Sequence, residues 1–319
     1  MNGKDLNVRY RRNAYAKKRV KVIIILIVIC VVLLAVAFLI IGSALKGRVD
    51  DDRTEDDSRS EAEQTEPLEQ HAEVPSVSSY GISLSGVSAS SFSDKTVEIE
   101  KNKGSGINFV IRDSAGSELY SSSVAQGMGK QSSSSGYIGM DTLAQRASNR
   151  GLRASAIIPV NAFSKKDDLE RSVHLAYDAA ICAEVCRKGA SDVTVLLDTE
   201  VSAEIVDELL RLADTAKGIE SKTTVGIALT QKALESEGAE VLVARLWEKY
   251  DFLAFDMTKM EEGADVSAFA EKSLSAAIHY YLLRYNMRVL LPDVEGTTLS
   301  SMLAVLSSKG ISNWQTVVK

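Results

Sequence analysis

The sequence predicts an α/β protein, a (β/α)8 TIM barrel preceded by one transmembrane helix and a disordered acidic linker. Three observations carry this. Residues 22–41 are twenty apolar residues without a charge, about the helix length that crosses a hydrocarbon core of roughly 30 Å. From Tyr80 onward, short apolar runs alternate with helical stretches. Five of those stretches stop at a cation followed by glycine: Lys103-Gly104, Arg150-Gly151, Lys188-Gly189, Lys217-Gly218 and Lys309-Gly310. A glycine supplies the left-handed residue that ends a helix, and a cation suits the negative end of the helix dipole. Serial helix, basic residue, glycine and strand argue for βα units and a parallel sheet.

The elements follow in order. Residues 1–21 form a basic tail in which eight cations face the single acid Asp5, a charge of about +7 that leaves about −13 of the formal −6 to the rest of the chain. The positive-inside rule keeps that tail cytoplasmic and sends everything after the anchor, residues 22–42, across the membrane. The alternative is a cleaved signal peptide ending near Gly42-Ser43-Ala44, but its apolar segment would be about 7–15 residues, shorter than this run. Residues 43–78 are a linker. Its 49–78 portion carries eleven acids and two arginines, a composition that buries too little surface to offset its ordering entropy and extends by self-repulsion. The acidic exported part lacks the basic surface that nucleic acid or anionic lipid would need.

Within 79–319 the expected strands are 80–86, 107–113, 153–160, 192–198, 223–229, 251–257, 288–292 and 311–318, with helices over 141–150, 166–188, 202–217 and 299–309. Eight strands in about 240 residues fit a closed barrel, typically ~250 residues. An open doubly wound sheet is the alternative, and it lacks a glycine-rich phosphate loop after the first strand. Residues 114–139, rich in serine, read as a flexible loop able to act as a lid. Its Gly127–Ser132 run lacks phosphate-loop spacing. Cys182 and Cys186 share a helix face with Leu175 and Ala179 and read as small core residues. The three histidines are scattered, so neither a metal nor any other cofactor is expected. Trp247 falls in a helical run and reads as core.

In a barrel, chemistry sits at the carboxyl ends of the strands. There the chain places Asp113, Asn161, Asp198 with Glu200, Asp256, and Asp293 with Glu295, while Trp314 lies in or near the eighth strand. Carboxylates gather at four ends, and those of the fourth and seventh strands are expected to face each other. Two carboxylates about 5–10 Å apart suit glycoside hydrolysis, one as acid and one as nucleophile or base. Asp198, Glu200, Asp293 and Glu295 are therefore the catalytic candidates, with Asp113, Asn161, Asp256 and Trp314 for substrate. Asp198, Glu200 and Asp293 also precede helical stretches, where capping the helix would explain them. Aromatic residues are only 6% of the chain and tryptophans number two, few for a sugar cleft.

The runs YGISLSGVSASS…INFVIRDSAGSELY and TLAQRASNRGLRASAIIPVNAF, then DAAICAEVCRKGASDVTVLLD and LWEKYDFLAFDM, resemble the glycoside-hydrolase-like barrel domain of exported bacterial proteins, from about Tyr80 to the C-terminus. In that resemblance Asp198 matches the fourth-strand aspartate and Met257 the sixth-strand methionine, and Asp113 approximates the second-strand acidic motif. The motif after the fourth-strand aspartate is replaced by Glu200-Val201-Ser202, and those of the sixth and seventh strands by Asp256-Met257-Thr258-Lys259 and Leu290-Leu291-Pro292-Asp293. Tyr80–Ser83, Phe109–Arg112 and Asp198-Thr199-Glu200 are also similar to lysozyme-like muramidase barrels, with Ser83 where that family has an aspartate. Together with the anchor read from residues 22–41, the resemblance implies a membrane-anchored, extracytoplasmic barrel acting on or binding cell-envelope polysaccharide. It leaves two forms open: a hydrolase with paired carboxylates, or a non-catalytic barrel serving as a glycan-binding or protein-scaffold module.

Overall fold

The computed structural model describes residues 74–318 apart from 85–88, 132–137, 166, 198, 203–204, 261–263 and 295. The expected basic tail, membrane anchor and nearly all of the linker lie outside the described residues. Among the described residues no helix is long and apolar enough to cross a membrane.

Eight parallel strands close on themselves in sequence order. They are β1 (Ser78–Gly81), β2 (Gly106–Val110), β3 (Arg153–Val160), β4 (Asp192–Leu197), β5 (Val225–Thr230), β6 (Phe252–Asp256), β7 (Arg288–Leu291) and β8 (Trp314–Thr316). The helices are α1 (Ala89–Lys101), α2 (Ser123–Gly127), α3 (Met140–Ser148), α4 (Asp168–Arg187), α5 (Val206–Ile219), α6 (Gln231–Leu234), α7 (Ala239–Trp247), α8 (Val266–Ser273), α9 (Ala276–Arg284) and α10 (Gly296–Ser308). The barrel class and all eight strands match the reading above, and the open sheet is excluded by the β1–β8 pairing of Ser78 with Trp314 and Ser79 with Gln315.

The differences sit at ends and turns. β1 stops at Gly81 and β8 spans only Trp314–Thr316, although single bonds carry the pairing one residue further, from the Ile82 amide to the Asn108 carbonyl and from the Val317 amide to the Leu291 carbonyl, both at 2.9 Å. At the first βα unit it is Lys103 that adopts the left-handed conformation, at φ 56. Gly104 is needed for space: a Cβ there would meet Ile99 at 2.6 Å and the Tyr80 ring at 2.8 Å. Gly218 lies within α5 rather than ending it. The strand order also places β5 and β6 between β4 and β7 on one side. Opposite β4 in an eight-stranded ring is β8, so the expected face-to-face placement of fourth and seventh strands does not hold.

Alternation along the strands separates two cores. Inward residues Val110, Ile157, Leu196, Ala228, Ala254, Leu290 and Val317 form an apolar layer inside the barrel. Outward residues such as Ile107, Phe109, Ile158, Val195 and Phe255 join the helices in one continuous outer core. Phe92 of α1 stacks on Phe109 with ring centroids 6.2 Å apart. Burying each such side chain stabilises the fold by about 1.5–3 kcal/mol. Trp247 packs edge-on to Tyr285 at 5.3 Å, a core role.

Helix starts follow local chemistry. Asp167 accepts from the Glu170 amide at 2.8 Å, and Asp265 from Ala268 at 3.0 Å, each an N-cap that satisfies an orphan helix donor. α4 is exceptional: Tyr177, Asp178, Ala179, Ile181, Cys182, Ala183, Glu184 and Val185 are all buried. A barrel helix ordinarily shows one face to water. Here the connection after β2 covers that face.

Candidate functional site

The residues after β2 were expected to form a flexible lid. The described part, residues 114–131, is instead fastened to the barrel. Arg112, two residues beyond β2, is buried and donates to Glu118 at 2.8 Å and to the Pro159 carbonyl at 2.9 Å. It also pairs with Asp178 of α4 at 2.7 Å. Tyr177 donates its hydroxyl to Glu118 at 2.9 Å. Lys130 sits 4.5 Å above the Tyr177 ring, with its ammonium 3.1 Å from His174 Nδ1. Burial pushes the Glu118 and Asp178 carboxyls up, and Arg112 pulls both part of the way back.

A second fastening lies one helical turn and more along α4. Glu184 accepts from the hydroxyls of Tyr120 at 2.9 Å, Ser122 at 2.5 Å and Ser123 at 2.6 Å, and from the Ser123 amide at 2.9 Å. Lys188 approaches it at 3.2 Å. Burial alone would raise its pKa, but the hydroxyl and amide donors outweigh burial and hold it down at about 2. A carboxylate with this many donors is the stable form. Burial pushes Cys182 well above the ordinary thiol range and Cys186 up to about 12, which suits packing rather than redox chemistry.

The candidates read from the sequence are distributed around the barrel, Asp113 and Asn161 on the β2–β3 side. Asp113 folds its own turn, its carboxylate accepting from the Ser117 amide at 2.8 Å. Asn161 precedes a short 3-10 turn, its carbonyl accepting from the Ser164 hydroxyl at 2.7 Å. Asp256 is buried and accepts from the Thr258 amide at 2.9 Å and hydroxyl at 2.7 Å. Glu200 accepts a hydrogen bond from the Thr230 hydroxyl, which in turn caps α6 by accepting from the Ala233 amide at 3.3 Å. Trp314 points outward and packs edge-on to Tyr80 at 5.2 Å, in the outer core. Asp198 and Glu295 lie outside the described residues. Among the described residues, no three His, Cys, Asp or Glu side chains gather as a metal site.

A cleft of about 460 Å³ opens beside Glu200. It lies between the loop after β4 (Glu200, Val201, Ser202) and Lys232 of α6, Ser236, Glu237, and Val241 and Arg245 of α7. Its size falls in the range of small-molecule pockets. Charged and hydroxyl side chains rim an apolar floor. Asp293 lines a different and smaller cavity of about 80 Å³, with Tyr80, Lys95 and Glu98. The two described members of the expected catalytic set therefore do not share a cavity. The fastenings of the β2 loop escaped the sequence reading because their partners are far apart: Tyr120 and Glu184 are separated by 64 positions. One signal was available: Asp178 and Glu184 interrupt the apolar stripe of a helix otherwise read as core.

No protein-family profile and no curated protein matches the chain. Among solved structures, the FMN-binding β-glucuronidase of Facaelibacterium prausnitzii L2-6 superposes with a TM-score of 0.50 at 9% identity, over 77% of this chain and 38% of that one. The spore cortex-lytic enzyme SleL of Bacillus cereus gives 0.47 at 12% identity, over 76% and 70%. An L-ribulose 3-epimerase gives 0.44 at 14% identity, over 75% and 80%. At these identities the likeness is one of fold.

Proposed function

We propose that this chain is a membrane-anchored, extracytoplasmic barrel that binds cell-envelope polysaccharide without cleaving it, using the cleft beside Glu200. One observation carries the non-catalytic half of this reading. The described polar groups at the strand ends are already engaged inside the protein: Arg112 with Glu118 and Asp178, Asp256 with Thr258, and Glu200 with Thr230. A general acid or nucleophile must instead turn its oxygens toward the scissile bond, with its partner carboxylate across the same opening. The cleft itself suits sugar hydroxyls. Lys232, Arg245, Glu237, Ser202 and Ser236 supply donors and acceptors around an apolar floor of Val201, Val206 and Leu242. The anchor and the export of the barrel rest on residues 22–41 and the basic tail before them.

The test uses the full chain in detergent with purified cell-wall and surface glycans. Retention in a pull-down with no released ends by mass spectrometry is the expected result, and Lys232→Ala with Arg245→Ala should weaken retention. Cleavage that disappears in Asp198→Asn with Glu200→Gln would overturn the reading in favour of a hydrolase. Neither retention nor cleavage would leave a scaffold for a protein partner.

A further inference from the structure

The strands carry a second inward layer, beneath the apolar one. Counting two residues back from the inward Val110, Leu196, Leu290 and Val317 reaches Asn108, Thr194, Arg288 and Gln315, all at most 1% exposed. Period-2 alternation turns all four into the barrel. Part of this layer is satisfied. Asn108 accepts from the Ser79 hydroxyl at 2.9 Å and donates to the Thr316 carbonyl at 2.7 Å. Arg288 donates through Nη1 to Asp192 at 2.8 Å and lies 4.1 Å from the centre of the Phe252 ring.

The rest is not satisfied. Thr194 Oγ1, both Gln315 amide atoms, Arg288 Nε and Asp192 Oδ2 are buried without a hydrogen-bond partner among protein atoms. Asp192 Oδ2 lies 3.6 Å from Arg153 Nη2. Five such atoms in one lumen are exceptional, since nearly all buried polar atoms in folded proteins are paired with protein or water. At the neighbouring inward positions the Phe252 ring fills the space beside Gly226, where a Cβ would meet it at 2.3 Å, and Ala254 carries only a methyl group.

We propose that the lower half of the barrel lumen is a sealed hydration site, holding one or two ordered waters between Gln315, Thr194, Arg288 and Asp192. The chemistry selects water over other ligands. The unpaired set mixes donors and acceptors, and the Asp192 carboxylate and Gln315 carbonyl would repel an anion. The apolar layer above and the near-zero exposure of the group exclude anything larger. Water needs two to four polar partners and a polar cavity about the size of one probe sphere, and five atoms supply partners for about one or two molecules. Exchange with bulk solvent would pass Arg153, the part-exposed member at the amino end of the barrel.

Oxygen-17 magnetic relaxation dispersion on the full chain in detergent micelles counts long-lived internal waters. The wild-type signal is expected to fall by about one or two waters in Gln315→Met, which keeps the side-chain volume and removes both orphan atoms. An unchanged signal overturns the proposal. Thr194→Val gives an independent arm if the methionine variant does not fold. A hydrated lumen predicts a lower urea midpoint, because valine strands the water's remaining bonds. A dry lumen predicts an equal or higher midpoint, because valine then removes an unpaired hydroxyl, and that result would sink the idea.

Discussion

The two arcs of the barrel mouth handle their carboxylates differently. On the β2–β3 side, Glu118, Asp178 and Glu184 are buried and tie together elements distant in the sequence: Glu184 of α4 reaches Ser122 across 62 positions. On the β4–β7 side, Asp256 bonds to a residue two positions away, and Glu200 to Thr230 at the end of the adjacent strand. The same residue type therefore makes buried long-range cross-links on one arc, while on the other Glu200 reaches only the neighbouring strand and Asp256 folds its own turn. The reach of the partners decides which. A carboxylate withdrawn from water needs an Arg or several donors to stay charged. Glu118, Asp178 and Glu184 draw theirs from other elements, whereas the buried Asp256 is met by the amide and hydroxyl of Thr258 alone.

The largest effect expected from this contrast is at Arg112. Arg112→Met would leave Glu118 and Asp178 buried without their cation and should cost about 3–5 kcal/mol in urea denaturation. A loss under 1 kcal/mol would mean that the cluster is wetter than its burial implies. Glu184→Gln should cost about 2–3 kcal/mol, since an amide accepts fewer of the four donors. The acid behaviour of Glu184 sharpens the point. Its carboxyl is depressed from the ordinary 4.5 to about 2 in the folded state. Its contribution is thus complete above about pH 4.5 and disappears as pH falls toward 2, at most about 3 kcal/mol. The wild-type stability curve should slope over that interval, and Glu184→Gln should flatten it.

Gly104→Ala comes next. Its Cβ would collide with Ile99 and the Tyr80 ring at 2.6 and 2.8 Å, and overpacking of this kind costs about 1–3 kcal/mol, read as a lower melting midpoint. The smallest effect belongs to the other arc. Asp256→Asn keeps an oxygen that accepts from the Thr258 amide and should change stability by less than about 0.5 kcal/mol. A loss as large as that of Arg112→Met would erase the distinction between the arcs.

The barrel was legible in the sequence because period-2 apolar runs and helix-ending cation-glycine pairs are local signals. Arg153–Val160 was placed to the residue for that reason. The first βα turn was read less well. Lys103-Gly104 looked like a left-handed glycine, and the glycine is there for the ring of Tyr80, a contact no local pattern records. The site was legible by strand-end position alone. Position identified Glu200, Asp256 and Asp293 as lying near the mouth but could not say what each would bond to. The buried charges on α4 were hidden for a related reason. Asp178 and Glu184 make sense only once residues 114–131 fold over the helix and bring Arg112 and the serine hydroxyls to them.

The β1–β8 seam has a consequence for biosynthesis. The first strand is closed by the last: Trp314 donates its amide to Val77 at 2.8 Å, and Asn313 receives the Val77 amide at 3.1 Å across 236 positions. A chain emerging from the ribosome has no partner for the outer edge of β1 until residues 313–316 have been delivered. Until then the growing sheet exposes two unpaired edges, the form most prone to pairing with another copy. Closure therefore comes late, and a chain released before residues 314–316 would have every helix yet no finished barrel.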